Sequence, residues 1–196
     1  MEESIIGGVD MKKDAIVEIE REVKTYTDLY QGSYVLFERS KEHPLGNYYA
    51  QMGSLIFAAF TFEAYLNHLG GHKNSFWDES ERMSVMEKYS ALCGAFNVTT
   101  DFSRRPYQTI KSLFDFRNAL AHGKSRILTI EKEVSHKEDV HKHAPKTKWE
   151  EYCTEVNIIR VRKDIEEIII ELNQASGEEE PPFMGGMTVS HMSLKG

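Results

Sequence analysis

Along most of this chain apolar residues recur every three or four positions, the period of a helix packed on one side. Ile16, Ile19, Val23, Tyr26, Leu29 and Tyr30 predict an amphipathic helix within residues 11–40, followed by a break at His43-Pro44-Leu45-Gly46. Residues 47–69 are apolar around most of a helical circumference (Met52, Leu55, Ile56, Ala59, Phe60, Phe62, Leu66, Leu69), which predicts a helix at the centre of a bundle. Gly70-Gly71 is expected to end it. A shorter helix is predicted over 82–96 from Val85, Met86, Tyr89, Leu92 and Phe96. Ser103 is expected to cap the next helix, with Pro106 in its first turn, where a missing N–H costs nothing. Ile110, Leu113, Phe114, Leu120 and Ala121 carry that stripe to Gly123.

Beyond Gly123 the period shortens. Ile127, Leu128, Ile130 and Val134 suit a strand, and KWEEYCTEV suits a returning one, with a His- and Lys-rich tip over 135–148. Ile158, Val161, Ile165, Ile168, Ile169 and Leu172 predict a final helix over 158–174. The expected architecture is mainly α: an up-and-down helical bundle with a small β-hairpin, about 126–156, before the last helix. Residues 1–45 form an N-terminal helical segment, 46–175 the main domain, and 176–196 a mobile tail. That tail is rich in acids, Pro and Gly and has little to bury. Its run Glu178–Glu180 would imitate phosphate if it folded back over a basic site.

Composition narrows the picture. A chain of 196 residues, 40% hydrophobic and 28% charged, can build one domain with a real core. No apolar run approaches the ~18 residues of a membrane helix, and the acidic start MEESIIGG does not read as a secretory leader. Cys93 and Cys153 are far apart and form no disulfide framework, which points to a reducing cytoplasm. The net charge of −7 argues against sequence-independent coating of nucleic acid. The charge is uneven, however. Between Asp101 and Arg126, Arg104, Arg105, Lys111, Arg117, Lys124 and Arg126 stand against Asp101 and Asp115. This local excess of cations suits an anion site.

That window contains Phe116-Arg117-Asn118-Ala119-Leu120-Ala121-His122-Gly123-Lys124. The form R-N-x-x-x-H at the end of an apolar helix resembles the signature of the HEPN superfamily. The preceding bundle helices and the run Phe62-Glu63-Ala64-Tyr65-Leu66-Asn67 extend the likeness over roughly residues 45–175. Members of that superfamily are helical bundles. Many are metal-independent endoribonucleases of toxin–antitoxin, anti-phage and RNA-processing systems. The resemblance implies RNA as substrate, tRNA included, products with 2′,3′-cyclic phosphate ends, no cofactor, a homodimer, and a cognate antitoxin or regulatory protein as a candidate partner. In the toxins paired with nucleotidyltransferase antitoxins a Tyr stands two residues after the His; here that position is Lys124.

The residue types fit the chemistry. Arg presents a planar fork of donors that holds two phosphate oxygens at once and stays charged. A fixed guanidinium beside the five-coordinate phosphorus favours the transition state, where negative charge grows. His can accept the 2′-hydroxyl proton or donate one to the leaving 5′-oxygen. Arg117 is thus the candidate phosphate clamp and His122 the proton-transfer group. Asn118 is a supporting amide, and Lys124, Arg126 and Arg105 are candidate substrate contacts. Glu63 stands among Phe60, Phe62 and Leu66. A carboxylate there needs a partner, and Arg117 is the candidate. Residues five apart on a helix lie about 140° around its axis, so a pair of chains joined by a two-fold axis would bring two motifs together more easily than one chain can. The alternative reading is a non-catalytic HEPN dimer that binds nucleotide or a partner protein. His136, His141 and His143 with Glu138 and Asp139 match no zinc spacing, and no metal site is assigned.

Overall fold

The computed structural model describes residues 15–42, 46–73, 77 and 82–194. They fall into two compact units: residues 24–184, and the two chain ends, 1–23 with 185–196, of which 15–23 and 185–194 are described.

The larger unit is helical. In chain order it holds α1 (Thr25–Glu42), α2 (Asn47–Lys73), α3 (Val85–Ala95), α4 (Tyr107–Ala121), a 3-10 turn (Val140–His143), α5 (Lys148–Tyr152) and α6 (Glu155–Ala175). The helix α2 is its axis, touching α1, α3, α4 and α6, while α4 also packs on α5 and α6. This is what an all-round apolar helix requires. Leu55, Ala59, Phe62, Leu66 and Leu69 of α2 meet Tyr89 and Leu92 of α3, Ile110 and Leu113 of α4, and Ile158, Val161, Ile165, Ile168 and Ile169 of α6 in one buried core.

Small residues let α1 lie close on α2. A Cβ on Gly32 would fall 2.6 Å from the Phe57 ring, and one on Gly53 3.0 Å from Leu36. Between them the buried hydroxyls of Ser33 and Ser54 each donate to the other residue's carbonyl, at 2.9 and 2.8 Å. Each buried polar group is thereby satisfied.

The helix ends follow local chemistry. Ser84 and Glu87 form a reciprocal capping box on α3, as do Thr147 and Glu150 on α5. Thr154 caps α6. At the other end of α6, Gly177 takes a left-handed φ of 72°, and its N–H and that of Glu178 return to the carbonyls of Gln174 and Asn173.

Several expectations are corrected. Gly70-Gly71 does not end α2, which runs on to Lys73. The bare Cα of Gly70 faces the indole of Trp77, where a Cβ would collide with the ring. Ser103 is not the cap of α4: its N–H and hydroxyl both donate to Asp101, and Pro106 holds the cap position with no side-chain bond. No hairpin forms within 126–156. Residues 123–134 carry no regular structure, with Ile127 92% exposed, and Lys148–Tyr152 is helical because its capping box supplies the first-turn bonds that a strand would take from a ladder.

The antiparallel pair of the described residues belongs instead to the second unit. Strand β1 (Ala15–Arg21) pairs with β2 (Thr188–Leu194), in a register from Ala15↔Leu194 to Arg21↔Thr188. Residues 15–21, expected as the start of a helix, are therefore a strand, and the tail expected to be unstructured supplies its partner. Side chains on both faces of β1 are exposed. The break expected at 43–46 falls mostly outside the described residues; Gly46 itself takes a left-handed φ of 82°.

Candidate functional site

The helix α4 forms the middle of the cationic window, with Lys111 and Arg117 on it, Arg104 and Arg105 before it and Lys124 and Arg126 after it. Its buried side, Ile110, Leu113, Phe114 and Phe116, anchors it to the core and leaves the intervening positions to the surface. Each turn rises about 5.4 Å, so the two ends of the window lie several turns apart.

At the N-terminal end Arg105 does not join the motif. Its guanidinium forks onto the buried carboxylate of Asp164 on α6, with Nε to Oδ2 at 2.8 Å and Nη2 to Oδ1 at 2.6 Å. The Thr109 hydroxyl donates to the same carboxylate. A buried carboxylate needs this many donors, and Arg105, itself half exposed, is thereby tied to α6. Its own charged state is strengthened first by the hydrogen bond to Asp164.

At the C-terminal end the motif divides. Arg117 donates through Nη2 to Glu63 Oε2 at 2.7 Å, and through Nη1 to the Asn118 amide oxygen at 3.1 Å. Both members of the ion pair are about a quarter exposed (26% and 27%). The guanidinium carbon lies 5.8 Å from the Phe60 ring centre and 6.0 Å from that of Phe114, within cation–π range. Arg117, Asn118, Glu63, Phe114, Ser84 and Val85 line an open hollow of about 210 Å³. Three elements thus position one guanidinium: α4 carries it, α2 supplies its carboxylate, and the capped start of α3 closes the wall.

His122 lies just past the helix. It is the C-cap residue of α4, and its backbone N–H bonds to the Asn118 carbonyl at 2.9 Å. Gly123 keeps a negative φ; a Cβ there would stand 3.1 Å from the Ala119 carbonyl, so the chain turns tightly over the last helical turn. His122 does not line the Arg117 hollow. With Lys124, Arg126, Thr147 and Trp149 it borders a second, larger one of about 590 Å³. The structure therefore joins Arg117 to Asn118 and Glu63, and His122 to Lys124 and Arg126, in two hollows that share no lining residue.

Trp149 and Thr147 are not legible as site residues in the sequence, where KWEEYCTEV suits a strand. The signal that places them is the spacing Thr147-x-x-Glu150, a capping box. Hydrogen bonding from Thr147 first, then the charges of Lys146 and Arg126, hold the Glu150 carboxyl below the usual range. Tyr48 is partly buried against Trp149, while Tyr49 is 70% exposed.

In the His-rich segment His143 meets Glu138 at 2.8 Å, and no cluster of three or more His, Cys, Asp or Glu suited to a metal occurs among the described residues. Among them, too, no helix is long and apolar enough to cross a membrane. The tail glutamates face other cations than the motif's: Glu178 pairs with Lys73 at 3.0 Å and Glu180 with Lys24.

No protein-family model, no curated protein and no solved structure matches this chain.

Proposed function

We propose that this chain is a metal-independent endoribonuclease of the HEPN type, acting as a homodimer on RNA, tRNA included, in a toxin or anti-phage setting in the cytoplasm. The observation that carries the reading is the guanidinium of Arg117, braced by Glu63 and Asn118 at the edge of an open hollow, little more than one helical turn from His122. Buried free thiols at Cys93 and Cys153 suit a reducing compartment.

The reaction follows from those groups. The 2′-oxygen attacks the adjacent phosphorus as its proton leaves to a base. The P–O5′ bond breaks, and the 5′-oxygen takes up a proton as it departs. The products are a 2′,3′-cyclic phosphate and a 5′-hydroxyl. Arg117 opposes the charge that grows on the non-bridging oxygens, and His122 carries one of the two proton transfers. A two-fold pair of chains offers two of each residue to one cleft, which answers the division of the motif between two hollows. An antitoxin or regulatory protein would then act by covering that cleft.

One observation favours a second reading, a non-catalytic dimer that binds nucleotide or a partner protein. Arg117 already has two partners within its own chain, and His122 lines a different hollow. RNA cleavage in excess EDTA separates the two. The nuclease reading expects cyclic-phosphate ends, abolished by both His122→Ala and Arg117→Ala in variants of unchanged fold and dimer mass. A folded dimer that leaves total RNA and tRNA intact supports the binding module instead.

A further inference from the structure

The hollow beside His122 has the composition of a nucleotide seat. Trp149 is half-buried, with part of its indole packed toward Tyr48 at a centroid distance of 6.4 Å. The same side chain borders two surface hollows. One is the 590 Å³ space with His122, Lys124 and Arg126; the other, of about 310 Å³, is formed with Phe116, Tyr152, Asp115 and Lys148. An indole held by packing yet open to solvent has already given up the rotamer freedom that stacking would cost. Lys124 and Arg126 are exposed in the segment that follows α4. The nearby acid on α5, Glu150, is engaged by the Thr147 N–H at 2.6 Å.

A flat ring beside two cations and an imidazole is the set that a single-stranded polynucleotide needs: stacking for the base, charge for the phosphate. A duplex keeps its bases stacked on one another and offers none to the ring. We propose that this hollow seats an unpaired RNA nucleotide, its base on the Trp149 indole and its phosphate between Lys124 and Arg126. The proposal rests on the RNA-directed reading above and adds to it the strand state of the substrate: the nucleotide next to the scissile bond is single-stranded.

The chain has two tryptophans, Trp77 and Trp149, so Trp77→Phe leaves Trp149 as the sole indole reporter. In that background a short single-stranded oligoadenylate is titrated against the emission, alongside a duplex RNA of equal length, and cleavage is measured separately. The expected result is saturable quenching by the single strand and little by the duplex. Trp149→Ala should weaken binding about tenfold or more, within the range of base stacking on an aromatic ring, while Trp149→Phe keeps most of the affinity. Replacing Lys124 and Arg126 together with Ala should lower the slope of log affinity against log salt by about 0.7 for each phosphate that these cations no longer neutralise.

Saturable RNA binding with unchanged Trp149 emission overturns the proposal, even if the protein cleaves RNA. Equal quenching by the duplex overturns it as well. Quenching without any cleavage supports the seat and overturns the nuclease reading instead.

Discussion

Glu63 and Asn118 fix Arg117 from two sides, and what they fix is direction more than charge. A guanidinium swung by about 1 Å from a reacting phosphate loses on the order of 10²-fold in rate. Under the proposed nuclease reading, Glu63→Ala should therefore slow cleavage by about that factor through kcat, with KM for RNA little changed. Glu63→Gln, which keeps an accepting oxygen, should recover part of the loss. A pure packing role would instead lower the thermal midpoint and leave the rate of the folded fraction alone. The two thiols make a separate prediction. Burial pushes Cys93 and Cys153 up to about 11, from an ordinary value near 9. Burial, and then hydrogen bonds to Glu166 and Glu171, push Tyr30 and Tyr107 up to about 12. In each case the folded state keeps a proton that the unfolded chain has released. Stability is then full below about pH 9 and falls as pH rises from 9 through 11 and 12. Urea unfolding midpoints measured from pH 7 to 11 should show that decline, and a disulfide reagent at pH 8 should label neither thiol until the protein unfolds.

The helices differ in how they announce themselves. Those of α2, α3, α4 and α6 are legible because their signal is local: an apolar stripe of the right period. The pairing of Glu63 with Arg117 is legible for a related reason, since a carboxylate among Phe60, Phe62 and Leu66 needs a cation. The strand β1 is not legible, because its partner lies at the far end of the chain. The tie of Arg105 to Asp164 is not legible, because nothing in its own neighbourhood announces that carboxylate on α6. Gly70 reads as a helix end because a glycine pair looks the same whether it ends a helix or admits a ring. That last case has a measurable consequence. Alanine at position 70 gains about 1 kcal/mol of helix propensity, yet it must displace the Trp77 indole. Overpacking typically costs about 1–3 kcal/mol. Gly70→Ala should therefore come out neutral to destabilising, by up to about 2 kcal/mol in urea unfolding, with Trp77 emission shifted to the red. Ser84→Ala removes one half of the α3 capping box and should cost about 1 kcal/mol. It also loosens a wall of the Arg117 hollow, so its effect on cleavage, relative to its effect on stability, reports whether that wall matters.

For the whole molecule, the division at Val23 and Gly185 predicts that the helical unit is self-sufficient. Its core, its capped helices and the docked segment 178–183, held by the Lys24 and Lys73 ion pairs and by Phe183 on Tyr30 at 4.3 Å, all lie within 24–184. A chain cut to 24–184 should keep the far-UV signal of its helices and unfold in one cooperative urea transition. Its mass in solution, compared with that of the full chain, tests whether the helical unit is enough for the proposed dimer. The antiparallel ribbon behaves differently in time. Thr188, the partner of Arg21, is added roughly 170 residues after it, about 8 to 34 s at ordinary elongation rates. Throughout that interval Ile16, Val17 and Ile19 travel as an unpaired strand with nothing to zip onto, while the helices behind them assemble from neighbours already made. The ribbon thus closes only after the helices between its strands have been made, and until β2 is added its first strand remains open to whatever other strand it meets.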